Sequence, residues 1–177
     1  MPFSYKPDSF VGQEIPEATL VEVPYSAALD DPKVCPGAPV KLNTREAFKG
    51  KKVVIVSVPG SFTPTCHGNH VPGYLQKAAS FSEKGYEVYV ISFNDAFVMS
   101  GWRSSLGGKG EVHFATEADL GLSKALNATF DASKNGLGIR GARYALVVDD
   151  LKIKSFAIEN TPGELEISSA DSVLRTL

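Results

Sequence analysis

Two thiols, Cys35 and Cys66, are the side chains best suited to redox or nucleophilic chemistry in this chain. Cys66 closes the string Val58-Pro59-Gly60-Ser61-Phe62-Thr63-Pro64-Thr65-Cys66. An apolar β-type run, 52–58, precedes it, and a helix-compatible stretch follows. Cys66 therefore falls near a helix N-terminus, where the partial positive charge of free N–H groups stabilises a thiolate. Thr63 is placed to cap that helix, and Pro64 suits its first position. Only the thiolate is a good nucleophile, and a free thiol with a pKa of ~8.5 is mostly protonated at neutral pH. A cation on another element should therefore converge on the sulfur. Arg140 and Arg143, just before the apolar run 144–148, are the candidates.

The elements that must position these groups follow from pattern. A chain of 177 residues, 43% hydrophobic and 21% charged, suggests one soluble domain over 1–177. Residues 1–50 are irregular and rich in proline. Within them 18–23 reads as a short edge strand between prolines, and 44–49 as one or two helical turns. The run 53–58 reads as a strand buried on both faces. A helix over 64–83 with a kink at Pro72 comes next, then a strand at 86–92. Asp95 caps a helix to about 106, a short strand covers 112–115, and 120–126 is helical. Runs 144–148 and 153–158 flank the hairpin signal Asp149-Asp150-Leu151-Lys152. Ser168 or Ser169 caps a last helix over 170–176. This order implies an α/β fold with a mixed sheet flanked by helices.

Several function classes are excluded or disfavoured. A formal net charge of -2 makes no electrostatic case for nucleic acid or an anionic membrane. No apolar run approaches the roughly 18 residues of a membrane span. The first residues lack the apolar core of a secretory signal, and the last three are not a peroxisomal address, so the cytoplasm is the expected compartment. Two cysteines are too few for a secreted disulfide scaffold. The tight helical spacing of Cys66, His67 and His70 cannot close a four-coordinate metal site, so no metal is expected. Gly136 to Gly141 has no β-α setting and reads as a turn, not a phosphate loop. His67 is expected to be exposed beside Cys66, and Trp102 to belong to the core.

The spacing Pro59-x-x-x-Thr63-x-x-Cys66 is that of the peroxiredoxins. The longer string Pro59-Gly60-Ser61-Phe62-Thr63-Pro64-Thr65-Cys66 resembles the atypical type II, peroxiredoxin-5-like group. His70-Val71-Pro72-Gly73-Tyr74, the stretch 93–102, Gly136-Leu137-Gly138-Ile139-Arg140 and Ser168-Ser169-Ala170-Asp171 extend the likeness over about 45–177. Fungal alkyl hydroperoxide reductase and plant type II enzymes look most similar. The resemblance implies a thioredoxin-like fold and a thiol peroxidase with no cofactor. It implies that Cys66 attacks hydrogen peroxide or an alkyl hydroperoxide and becomes a sulfenic acid. Pro59 would shield the sulfur, Thr63 and Arg143 would donate to the peroxide, and Arg140 is the weaker counterpart. Phe62 and Phe97 would line an apolar entrance, with His70 beside the substrate or orienting the site. A homodimer is also implied.

Plant type II enzymes place a resolving cysteine where this chain has Val90, and peroxiredoxin-5 of animals uses one near the C-terminus, where 162–177 has none. The likeness to the fungal enzyme, whose resolving cysteine lies upstream, implies a reversible Cys66–Cys35 disulfide, more readily between subunits. Thioredoxin would recycle it. Two alternatives stay open: Cys35 is an unpaired loop thiol and glutathione or glutaredoxin recycles Cys66, or Cys66 is a peroxide sensor that passes its oxidation to a partner.

Overall fold

The computed structural model describes residues 5–31, 33–34 and 37–177. Its strands are β1 (Thr19–Glu22), β2 (Val40–Asn43), β3 (Lys52–Ser57), β4 (Tyr86–Ser92), β5 (His113–Thr116), β6 (Thr129–Asp131), β7 (Ile139–Gly141), β8 (Tyr144–Asp149) and β9 (Lys152–Ile158). Seven of them form one sheet in the order β2-β1-β5-β4-β3-β8-β9, and β6 and β7 pair separately. β3, β4 and β5 run parallel, whereas the pairs β3/β8, β8/β9, β1/β5 and β1/β2 are antiparallel. The helices are α1 (Thr44–Ala47), α2 (Val71–Gln76), α3 (Ala78–Glu83), α4 (Ala96–Ser105), α5 (Gly121–Ala125) and α6 (Ala170–Leu174). The mixed sheet flanked by helices is the arrangement that the element order implied.

The central strand shows how the sheet divides the core. Val53 and Ile55 of β3 join Phe48, Tyr89, Leu146 and Phe156 on one face. Val54, Val56 and Val58 join Cys66, Tyr74, Phe81 and Trp102 on the other. Each face takes every second residue, so a one-residue slip would exchange the two sets. Every β3 residue after Lys52 is buried, as the unbroken apolar run demanded. The turn between β8 and β9 has φ of 43° at Asp150 and 68° at Leu151. Both lie in the left-handed region, as a two-residue type I′ hairpin requires. Asp150 Oδ1 accepts from Gly50 N–H at 2.7 Å, which holds this turn against the start of β3.

The structure corrects three local expectations and decides between two alternatives in a fourth. β1 is not an edge strand: it sits between β2 and β5, and the edge is β2, which pairs Leu42 with Leu20. The flanking prolines, Pro16 and Pro24, lie outside the paired residues and remove no ladder donor. The helix expected over 64–83 is in three parts. A π-helical turn covers Cys66–His70, α2 follows, and Lys77 (φ -108°, ψ 11°) separates it from α3. Pro72 has no N–H to give, and just before it Val71 N–H reaches back five residues to Cys66 C=O. The segment 129–141 is more than a turn: β6 and β7 form a hairpin, with positive φ at Gly136 and Gly138 in its connection. Of the two serines expected to cap α6, Ser169 does so, accepting from Ser172 N–H at 3.3 Å.

Candidate active site

The loop 58–65 carries Cys66 from the end of β3 into the π turn, and hydrogen bonds hold it at both ends. Val58 N–H donates to Ile91 C=O at 3.0 Å, and Ser61 N–H donates to Asn94 Oδ1 at 2.9 Å. Phe62 has φ of 59°, a left-handed conformation that costs about 1–2 kcal/mol in a residue with a Cβ. Bonds of its neighbours Ser61 and Thr63 flank it on both sides. Thr63 Oγ1 donates to Gly60 C=O at 2.8 Å, so its hydroxyl is not a helix cap; its carbonyl instead accepts from His67 N–H at 2.8 Å. A Cβ at Gly60 would lie 3.0 Å from Arg140 Nη1 and 3.3 Å from Thr63 Cγ2, a tight fit to which the arginine side chain would have to yield. That nitrogen donates to Pro59 C=O at 3.1 Å.

Cys66 is a free thiol with no solvent exposure. Arg143 Nη2 donates to its Sγ at 3.4 Å. Arg143 precedes β8 directly and is itself buried. Each of its three guanidinium nitrogens has a neighbour within hydrogen-bond distance. Nε and Nη2 donate to Pro162 C=O at 3.2 and 2.7 Å, and Nη1 faces His70 Nδ1 at 3.0 Å. His70 Nε2 lies 2.9 Å from Ser168 C=O, to which Tyr74 Oη also donates at 2.7 Å. Arginine can only donate, so His70 Nδ1 accepts and Nε2 carries the proton. Burial first, and the Arg143 charge second, push the His70 pKa down to about 3, so the ring is neutral at physiological pH. Of the two candidate arginines, Arg143 reaches the sulfur and Arg140 reaches the backbone of Pro59.

A cavity of about 270 Å³ lies over this group. It is lined by Pro59, Thr63, Pro64 and Arg143 together with Phe130 and Leu137 of the β6–β7 hairpin. Sequence reasoning missed Phe130 and Leu137 because it read no hairpin there. Phe62 and Phe97 are half exposed, and neither lines this cavity. Phe62 stacks on His67 at 5.6 Å, and Trp102 Nε1 donates to His67 Nδ1 at 2.9 Å from within the core. His70, expected beside the substrate, sits behind Arg143, with both ring nitrogens engaged. Cys35 lies outside the described residues, so its distance from Cys66 is not part of this geometry.

Comparison with known proteins gives one consistent family. The Redoxin family profile matches residues 10–174. A Malassezia furfur relative named as a peroxiredoxin is 49% identical over 168 residues, covering 94% of this chain and 99% of its own length. The rice protein peroxiredoxin-2E-2, chloroplastic, is 38% identical, covering 94% of this chain and 72% of its own. The crystal structure of reduced Prx3 in complex with H2O2 from Vibrio vulnificus superposes with a TM-score of 0.81 at 33% identity, covering 94% of this chain and 97% of the other.

Proposed function

The chain belongs to the redoxin family as a thioredoxin-fold peroxiredoxin, a thiol-dependent peroxidase, and on that premise we propose that Cys66 is its peroxide-reducing nucleophile. The contact of Arg143 Nη2 with Cys66 Sγ, beside a cavity that the same arginine lines, is the observation that carries this reading. An arginine keeps its charge throughout, so it can pair with a thiolate and then with a developing anion. The thiolate attacks the hydroxyl-bearing oxygen of the peroxide. An S–O bond forms, the O–O bond breaks, and two electrons pass from sulfur to oxygen. The products are a Cys66 sulfenic acid and hydroxide or alkoxide, which takes a proton to leave as water or alcohol. In this reading Arg143 supplies donors for the charge that grows on the leaving oxygen, and the Thr63 hydroxyl, which donates to Gly60 C=O in this structure, would have to turn from that carbonyl to add another. Pro59 is buried at the cavity wall and keeps bulk water from the sulfur.

Small alkyl hydroperoxides are substrates alongside hydrogen peroxide in this proposal, because Phe130 and Leu137 offer the organic group an apolar wall. Cys35 condenses with the sulfenic acid to give a disulfide and water, and thioredoxin reduces that disulfide. The enzyme works as a cytoplasmic homodimer in this account. The half-exposed Phe62 and Phe97 give it an apolar surface beside Cys66 that a second subunit could cover.

The test is the intact mass, under non-reducing denaturing conditions, after one equivalent of hydrogen peroxide meets the fully reduced protein. A covalent dimer is expected. A monomer two hydrogens lighter would put the disulfide within one chain, and a monomer heavier by one oxygen would leave Cys66 to an external thiol. An unchanged mass would overturn the assignment of Cys66.

A further inference from the structure

Behind Arg143 lies a buried carboxylate that the mechanism above does not use. Glu159 follows β9 directly and is only 3% exposed. Its Oε1 accepts three bonds, from Glu166 N–H at 2.9 Å, Ser168 N–H at 2.9 Å and Ser168 Oγ–H at 2.7 Å. These bonds fold residues 159–168 into a loop closed on its own first side chain. The loop presents two carbonyls to the site. Pro162 C=O takes Nε and Nη2 of Arg143, and Ser168 C=O takes His70 Nε2, whose other nitrogen takes Arg143 Nη1. All three nitrogens of the guanidinium are therefore set by groups on, or anchored to, this loop. Glu159 N–H also donates to Arg143 C=O at 2.9 Å, which fixes the arginine backbone from the same residue.

We propose that Glu159 is a positioning residue of the peroxidase, holding the loop 159–168 so that Arg143 points at Cys66. The inference rests on the reading of Cys66 as the nucleophile. Removing the carboxylate leaves three donors without their acceptor and frees both carbonyls to turn. The arginine then loses the partners that aim it, and a misplacement of about 1 Å at a reacting centre costs up to about 100-fold in rate. Glutamine keeps an acceptor oxygen in the same place and should largely preserve the aim.

The experiment is the second-order rate of Cys66 oxidation by hydrogen peroxide, followed by quenched-flow mass analysis. It uses wild type, Glu159→Leu, Glu159→Gln and Arg143→Gln, together with Glu159→Leu in the Arg143→Gln background. Glu159→Leu should slow oxidation about 10- to 100-fold, and Glu159→Gln should recover to within about threefold. In the Arg143→Gln background, Glu159→Leu should add nothing, since a residue that acts through the arginine has no effect once the arginine is gone. A loss of full size in that background would assign Glu159 to general stability and overturn the inference. If Glu159→Leu fails to fold, Ser168→Ala, which removes one of the three donors, takes its place with an expected loss of a few-fold that again vanishes without Arg143. A reactive wild type with an unimpaired Glu159→Leu sinks this inference alone; a wild type inert to peroxide sinks the Cys66 assignment as well.

Discussion

Glu117 and Glu159 make an instructive pair. Each is almost wholly buried, and each grips one serine through both its N–H and its hydroxyl, Ser123 for Glu117 and Ser168 for Glu159. Glu117 lies with Tyr144, whose hydroxyl is 3.1 Å from Ser123 Oγ, on the face that holds Leu122 and Phe156. Glu159 lies behind Arg143 and His70, on the face that holds Cys66. The same local grip thus braces the core on one face and aims an arginine on the other. The two surroundings also answer pH in opposite directions. Burial, only partly opposed by the Ser123 bonds, pushes the Glu117 pKa from 4.5 up to about 7, while His70 is pushed from 6.5 down to about 3. One face of the sheet is relieved by acid and the other is loaded by it.

The largest effect expected from this contrast is on rate. Arg143→Gln removes the donor to Cys66 and should lower peroxide oxidation about 10²- to 10³-fold, the cost of losing one donor to a developing anion. Ser123→Ala, on the other face, should leave that rate unchanged. Stopped-flow oxidation of both variants checks this. Equal losses would mean that the two faces do not divide fold from chemistry.

The pH dependence of stability gives the next effect, and its signs follow from proton counts. Between pH 7 and pH 5 the unfolded chain protonates His70 while the folded ring stays neutral, so stability falls by roughly 2 kcal/mol through this group. Over the same window the folded protein protonates Glu117 while the unfolded chain barely does, so stability rises by roughly 2 kcal/mol. The two contributions offset in the wild type. Glu117→Gln should therefore unmask acid lability, with its stability relative to wild type falling by about 2 kcal/mol from pH 7 to pH 5. Urea unfolding at the two pH values measures it, and parallel curves for the two proteins would show that Glu117 does not titrate in this range.

The smallest effect concerns the cavity wall. Leu137→Ala should raise the KM for cumene hydroperoxide several-fold and leave hydrogen peroxide almost unaffected, because only the larger substrate reaches the apolar hairpin. Equal changes for both substrates would move the organic group elsewhere.

Much of the fold and of the candidate site was legible in the sequence. The unbroken apolar run of β3, the Asp95 cap, the β8–β9 hairpin and the turn that carries Cys66 are local matters, decided by hydrophobic pattern, capping chemistry and the backbone limits of proline and glycine. The Pro59, Thr63 and Cys66 spacing is local as well, so Cys66 could be proposed as the nucleophile before any geometry was known. What could not be read locally is what residues distant in sequence do to one another. Nothing in 18–23 says that β2 will cover it, because that pairing depends on a partner strand about twenty residues later. The wall at Phe130 and Leu137 exists only once the β6–β7 hairpin lies over Thr63 and Arg143. His70 reads as a neighbour of Cys66 along the helix, yet its place is set by Ser168, 98 residues on. Glu159 carries no signal at all in sequence, since a glutamate after a strand is ordinarily solvated. Only burial in the tertiary structure, where an unpaired donor or acceptor is costly, turns it into the group on which the arginine's aim depends.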